Sequence, residues 1–260
     1  MVLAAWEYAA QLLYGPLALA VAQRAPGPRA VITIPGYTGS DEAVAPLNDT
    51  LSAVGYTAES WGLGFNRGVP GRRQFEQQTD QIARRAMRLA DRTGDRVSLV
   101  GHSLGGMFAR EIARRFPALV DRVVTLGSPA HVERAGADGT GQVDAWPLGR
   151  RDRDHLFSDR PPPGMPLVSI YSRLDTIAPI RSARIPVDLL SDPEGAPREN
   201  IEILCSHLGM AVNPLVQLVV ADRLAQPSGD WTPFDAARYF PLPVRMAHAV
   251  FYPPVNDQPS

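Results

Sequence analysis

The sequence predicts an α/β fold, a mostly parallel sheet flanked by helices. Short apolar runs rich in β-branched residues recur along the chain, and stretches with apolar residues three and four apart lie between them. The resulting order of strand, helix, strand, helix, strand, helix, strand demands right-handed crossovers and a parallel sheet covered on both faces. At 260 residues the chain is long enough to bury one large core, so a single domain is expected.

The first stretch, Met1 to Ala22, carries Leu3, Trp6, Ala10, Leu13 and Leu17 at helical spacing and is interrupted by Gly15-Pro16. It is read as an amphipathic helix, residues 1–28, packed on the domain through that stripe. An interfacial membrane helix and a signal segment stay open as alternatives, although the basic residues a signal would place ahead of its apolar region are missing, since the first Arg is Arg24.

The domain proper is expected over 29–226. Arg29 to Ile34 reads as a strand running into Pro35-Gly36-Tyr37-Thr38-Gly39. A helix with Val44, Leu47, Leu51 and Val54 inward follows, then a strand from Tyr56 to Trp61 and a Gly-rich loop through Phe65 and Asn66. That loop leaves the C-terminal edge of the sheet, where open α/β sheets bind ligands, so Trp61 and Phe65 are candidate substrate-binding residues together with Gly36. For Asn66 a structural turn is an equal alternative. Arg72 to Arg92 is a long helix with Phe75, Ile82, Ala86 and Leu89 inward, stopped by Gly94.

Arg96 to Val100 is the next strand, followed by Gly101-His102-Ser103-Leu104-Gly105-Gly106 and a helix with Ala109, Ile112, Ala113 and Phe116 inward and Arg110, Glu111, Arg114 and Arg115 outward. Gly-x-Ser-x-Gly between a strand and a helix is the nucleophile elbow, a tight turn that exposes a serine oxygen and tolerates only the smallest neighbours. The helix starting after the serine leaves the Leu104 N–H aimed where a carbonyl oxygen would gain charge, and the Tyr37 N–H is the candidate second oxyanion donor.

Asp121 to Leu126 is a further buried strand. Residues 131–164 then break the rhythm, rich in Gly, Pro, Arg and Asp with Trp146, Leu148, Leu156 and Phe157 among them, and are read as a lid-like insertion. Asp152, Asp154 and His155 lack metal-ligand spacing, so neither a metal nor another cofactor is expected. Pro166 to Tyr171 and Asn200 to Leu204 are the last strands, Asn213-Pro214 opens the last helix, and residues 227–260 form a proline-rich tail.

Asp175 and His207 each stand just past a strand end, as Ser103 does, in the order Ser, Asp, His. A serine hydroxyl needs a base at neutral pH, imidazole is suited to that, and a carboxylate on its far nitrogen fixes the tautomer and stabilises the cation. His102, His131, His155 and His248 are rival bases, and Asp188 and Asp192 rival acids.

From Val31 to Gln226 the chain resembles the α/β-hydrolase superfamily, its lipase/esterase-like group in particular. The resemblance is carried by Ile34-Pro-Gly-Tyr-Thr-Gly39, Gly101-His-Ser-Leu-Gly-Gly106, Thr125-Leu-Gly-Ser-Pro129, Tyr171-Ser-Arg-Leu-Asp175 and Ser206-His207-Leu-Gly209. It implies a sheet of eight-strand type, a Ser-His-Asp triad and ester hydrolysis through an acyl-enzyme. Pro35 is a departure, since many relatives carry His before the oxyanion glycine.

With 26 basic and 27 acidic residues the net charge is −1, which gives no field for nucleic acid. All the basic residues are Arg, and the single cysteine, Cys205, excludes an internal disulfide. The expected protein is a cytoplasmic carboxylic-ester hydrolase acting on a small-molecule or lipid ester. Peripheral membrane contact through the N-terminal helix and secretion remain open. A thioesterase or acyltransferase on the same triad, and a catalytically silent binding scaffold, are the alternatives.

Overall fold

The computed structural model describes residues 2–69, 71–130, 161–227 and 229–239. Most of the lid-like insertion, with its histidines and apolar residues, lies outside the described residues, as do His248 and the tail from residue 240. The strands are β1 (Ala30–Ile34), β2 (Thr57–Ser60), β3 (Val97–His102), β4 (Val120–Leu126), β5 (Leu167–Tyr171) and β6 (Arg198–Glu202). They form one six-stranded sheet in the order β2-β1-β3-β4-β5-β6, with all neighbours parallel. The eight-strand type is therefore corrected to six among the described residues, because a helix takes up the segment ahead of β1.

Alternation along each strand divides the core between the two faces. Ile32, Ile34, Val97, Leu99, Val123 and Leu167 face α3 (Arg72–Thr93) and α4 (Leu104–Arg115), meeting Phe75, Ile82, Leu89, Phe108 and Ile112. Val31, Val100, Val124, Leu126, Val168 and Ile170 face α2 (Asp41–Ala53) and α6 (Pro214–Ala225), meeting Leu47, Leu51, Val216, Val219 and Leu224. A short helix, α5 (Ile180–Ala183), follows β5.

The N-terminal helix α1 (Val2–Val21) lies against α6, but through the face opposite to the expected one. Glu7, Gly15 and Ala18 are buried, whereas Trp6, Leu13 and Leu17 face outward. On that face Leu19, with Ala22 just past the helix end, packs against the core cluster that holds Val216, Val219 and Val220 of α6. Pro16 does not interrupt α1. The carbonyl deprived of its partner belongs to Leu12, an exposed residue on the solvent side of the helix. Among the described residues no helix is long and apolar enough to cross a membrane.

Candidate active site

The chain enters the sheet at β1, turns one way to β2 and then crosses back to β3, so a crevice opens between the C-terminal ends of β1 and β3. The Ser103 turn stands there. Ser103 has φ 53° and ψ −121°, the strained left-handed region for a side-chain-bearing residue, and it caps α4 directly. The strain is held by packing: a Cβ on Gly101 would collide with the Gly105 backbone, and one on Gly105 with the Ile34 carbonyl. A Cβ on Gly36 would come within 2.9 Å of the Ser103 Cβ, so the β1 loop also passes against the serine as bare backbone.

His207 lies in the long turn between β6 and α6, and Asp175 in the turn after β5. The structure brings both to Ser103. His207 Nδ1 is 2.7 Å from Asp175 Oδ2, and His207 Nε2 is 3.0 Å from Ser103 Oγ. A carboxylate can only accept, so Nδ1 carries the proton and Nε2 is free to accept from the serine hydroxyl. The other Asp175 oxygen, Oδ1, accepts the backbone N–H groups of Ile177 and Ala178, both at 2.8 Å. All three side chains are buried, Ser103 at 5%, Asp175 at 4% and His207 at 7% exposure, which strengthens each interaction relative to water. Gly127, with φ 51°, ends β4 beside them, where a Cβ would press on Asp175 Oδ2 and Met210 Sδ.

The β1 loop is fastened by Asn66. Its Nδ2 donates to the Pro35 carbonyl at 2.9 Å, its backbone N–H donates to Gly39 at 2.7 Å, and its carbonyl accepts from Thr38 at 2.8 Å. Asn66 is thus a buried clamp on the loop that carries Tyr37. Phe65 beside it is exposed, as is the Tyr37 side chain.

Trp61 departs from the expectation. It is 1% exposed, packs at a tilt on Phe108 with ring centroids 6.3 Å apart, and donates its indole N–H to Gly64, so it belongs to the core rather than to the site. The expected outward position of Arg110 is also corrected. The residue is buried and its guanidinium donates to the carbonyls of Pro129 and Ala130 at 2.6 and 2.8 Å, because the chain after β4 folds back over α4.

Of the rival groups, His102 points away from the serine oxygen and donates Nε2–H to the His207 carbonyl at 2.8 Å. Loss of hydration, with repulsion from His207 second, pushes its pKa down to about 3, so it is a neutral structural support at physiological pH. Asp188 lies in a single turn, Val187–Leu189, and Asp192 pairs with Arg198. Cys205, two residues before His207, is buried, its N–H donates to Ser172 Oγ at 3.1 Å, and burial pushes its thiol pKa well up.

A sequence model of the alpha/beta hydrolase fold matches residues 30–162, and the chain belongs to that family. Solved structures agree in fold at low identity. TT1662 from Thermus thermophilus is 16% identical with a TM-score of 0.56, over 78% of this chain and 92% of that one. One of the metagenome-derived lipolytic enzymes LipS and LipT is 16% identical with a TM-score of 0.52, over 77% and 97%. The RedJ thioesterase of the prodiginine biosynthetic pathway in Streptomyces coelicolor is 15% identical with a TM-score of 0.50, over 77% and 90%.

Proposed function

We propose that the protein is a serine hydrolase cleaving carboxylic esters through an acyl-enzyme on Ser103. The observation that carries the reading is the unbroken hydrogen-bonded line from Ser103 Oγ through His207 to Asp175. As Oγ attacks the ester carbonyl carbon, His207 Nε2 takes its proton and the carbonyl electron pair moves onto oxygen. The N–H groups of Leu104, at the start of α4, and Tyr37, in the loop against Ser103, hold that oxyanion. Collapse of the intermediate expels the alkoxide, which takes the proton from His207, and water repeats the sequence on the acyl-enzyme. Asp175 holds the ring through Nδ1–H and stabilises the imidazolium.

Exposed apolar side chains sit on the loops that carry the site: Tyr37 after β1, Phe65 beside Asn66, Ile177 after Asp175 and Leu208 after His207. They support an ester with an apolar acyl or alcohol group, and the outward Trp6, Leu13 and Leu17 of α1 support the same leaning.

The test is a chain-length series of p-nitrophenyl esters on wild type and Ser103→Ala, with fluorophosphonate labelling in parallel. Wild type should turn over and label at Ser103, and the alanine variant should lose at least about 10³-fold in kcat and fail to label. Equal turnover by both proteins would remove the serine from the mechanism. Alcohols or thiols that divert the acyl group would reveal an acyltransferase, and preference for thioesters a thioesterase on the same acyl-enzyme. Absence of both adduct and turnover would mark a silent scaffold.

A further inference from the structure

We propose that Glu7, on the N-terminal helix, is a positioning residue for His207, so that α1 is part of the catalytic apparatus although it lies outside the stretch matched by the family. The proposal rests on the reading of Ser103 as nucleophile and His207 as its base.

Glu7 is 5% exposed, a carboxylate buried on a helix whose neighbouring positions are almost all apolar. Its Oε1 accepts the backbone N–H of Ser206 at 2.9 Å and the side-chain amide of Asn213 at 3.3 Å, and its Oε2 accepts the Ser206 hydroxyl. Ser206 is the residue immediately before His207, so both of its donors, N–H and hydroxyl, are gripped from outside the sheet. The grip reaches both ends of the turn. Ser206 Oγ in turn accepts the Gly209 N–H at 3.0 Å, and Asn213 caps α6 through Oδ1. A Cβ at residue 209 would collide with the Glu7 carboxylate, so the turn is shaped to receive it.

This turn needs external support. No strand or helix runs between the end of β6 at Glu202 and the start of α6 at Pro214. His102 holds the His207 carbonyl from the elbow side, and Glu7 holds Ser206 from α1. Displacing an imidazole by about 1 Å from its productive contacts costs on the order of 10²-fold in rate. A buried charged group is weak evidence of a role in stability, and every hydrogen-bond partner shown for the Glu7 carboxylate lies in the segment from Ser206 to Asn213 that carries His207. The burial therefore fits a demand for geometry.

The experiment uses the full chain carrying Glu7→Leu, Glu7→Gln and Ser206→Ala, with kcat and KM on a p-nitrophenyl ester normalised to the fluorophosphonate-titratable fraction and thermal midpoints measured alongside. Leucine restores packing without hydrogen bonds. Because it leaves the Ser206 N–H and hydroxyl and the Asn213 amide without their acceptor, the midpoint should fall, while on the titratable folded fraction kcat falls roughly tenfold or more and KM stays within about twofold. Glutamine keeps an acceptor for the Ser206 N–H and offers the hydroxyl a donor, so it should retain kcat within about threefold. Wild-type kcat in Glu7→Leu, or equal losses in the leucine and glutamine variants, would overturn the proposal. If Glu7→Leu does not fold, Ser206→Ala decides: a severalfold fall in kcat at constant KM supports it, and an unchanged kcat overturns it. Failure of the underlying reading is seen separately, in wild type that neither labels at Ser103 nor depends on it.

Discussion

His102 carries a pH dependence that its position next to the nucleophile disguises. Its folded pKa of about 3 lies below the ordinary 6.5, so between those values the unfolded chain binds a proton that the folded chain does not. The neutral ring's contribution is therefore complete above about pH 6.5 and is lost as the pH falls toward about 3. Urea midpoints measured from pH 7 down to 4 should decline, and His102→Gln, whose amide still donates to the His207 carbonyl, should make that decline shallower. Parallel slopes would acquit His102. At this scale the approach of Ser103, Asp175 and His207 was legible because each stands in a turn that leaves the C-terminal end of a strand, in the chain order Ser, Asp, His. Trp61 was not, since an aromatic residue at a strand end looks the same whether it turns to the cleft or to Phe108, a partner forty-odd positions away on α4. Glu7 gave no signal at all: its partners, Ser206 and Asn213, lie at the other end of the chain.

The element that concentrates the most constraint is the β3 turn into α4. Its glycines are fixed by contact rather than by convention, as Gly105 shows against the Ile34 carbonyl of the neighbouring strand. Gly105→Ala should destabilise the fold by at least about 1–3 kcal/mol, because the methyl meets rigid backbone that cannot yield as a side chain would. Urea denaturation checks it, and a shift within experimental error would mean that β1 and α4 can separate without cost. Periodicity identified α2, α3 and α4 with their inward residues because each packs on the sheet through one wide apolar stripe, as Val44, Leu47 and Leu51 do. It misjudged α1 because that helix is held partly through the polar contacts of Glu7, which apolar spacing cannot mark, while Trp6, Leu13 and Leu17 stay on the outer face. Arg110 failed similarly, since its burial comes from a loop folding over a polar stripe.

Across the whole molecule, two buried arginines tie the far edge together. Arg122 on β4 donates to the carbonyls of Arg223 and Gln226, while Arg223 on α6 pairs with Asp222 and Glu199 and donates to the Thr232 carbonyl at 2.8 Å. Trp231 covers both guanidinium groups, and Phe234 covers that of Arg223. Arg223→Ala would leave Asp222 and Glu199 without this partner and uncover Trp231. It should cost about 3–5 kcal/mol in a urea titration, well above the ~1 kcal/mol expected of an exposed ion pair. A loss at the lower figure would mean that water replaces the guanidinium freely.

The buried Cys205 has a practical corollary. With its sulfur shielded and its thiolate disfavoured, reagents such as maleimides have nothing to react with on the folded native chain, which contains no second cysteine. A cysteine introduced at an outward position of α1 would then accept a fluorophore at one known place, turning the helix into an optical ruler for its distance from Ser103.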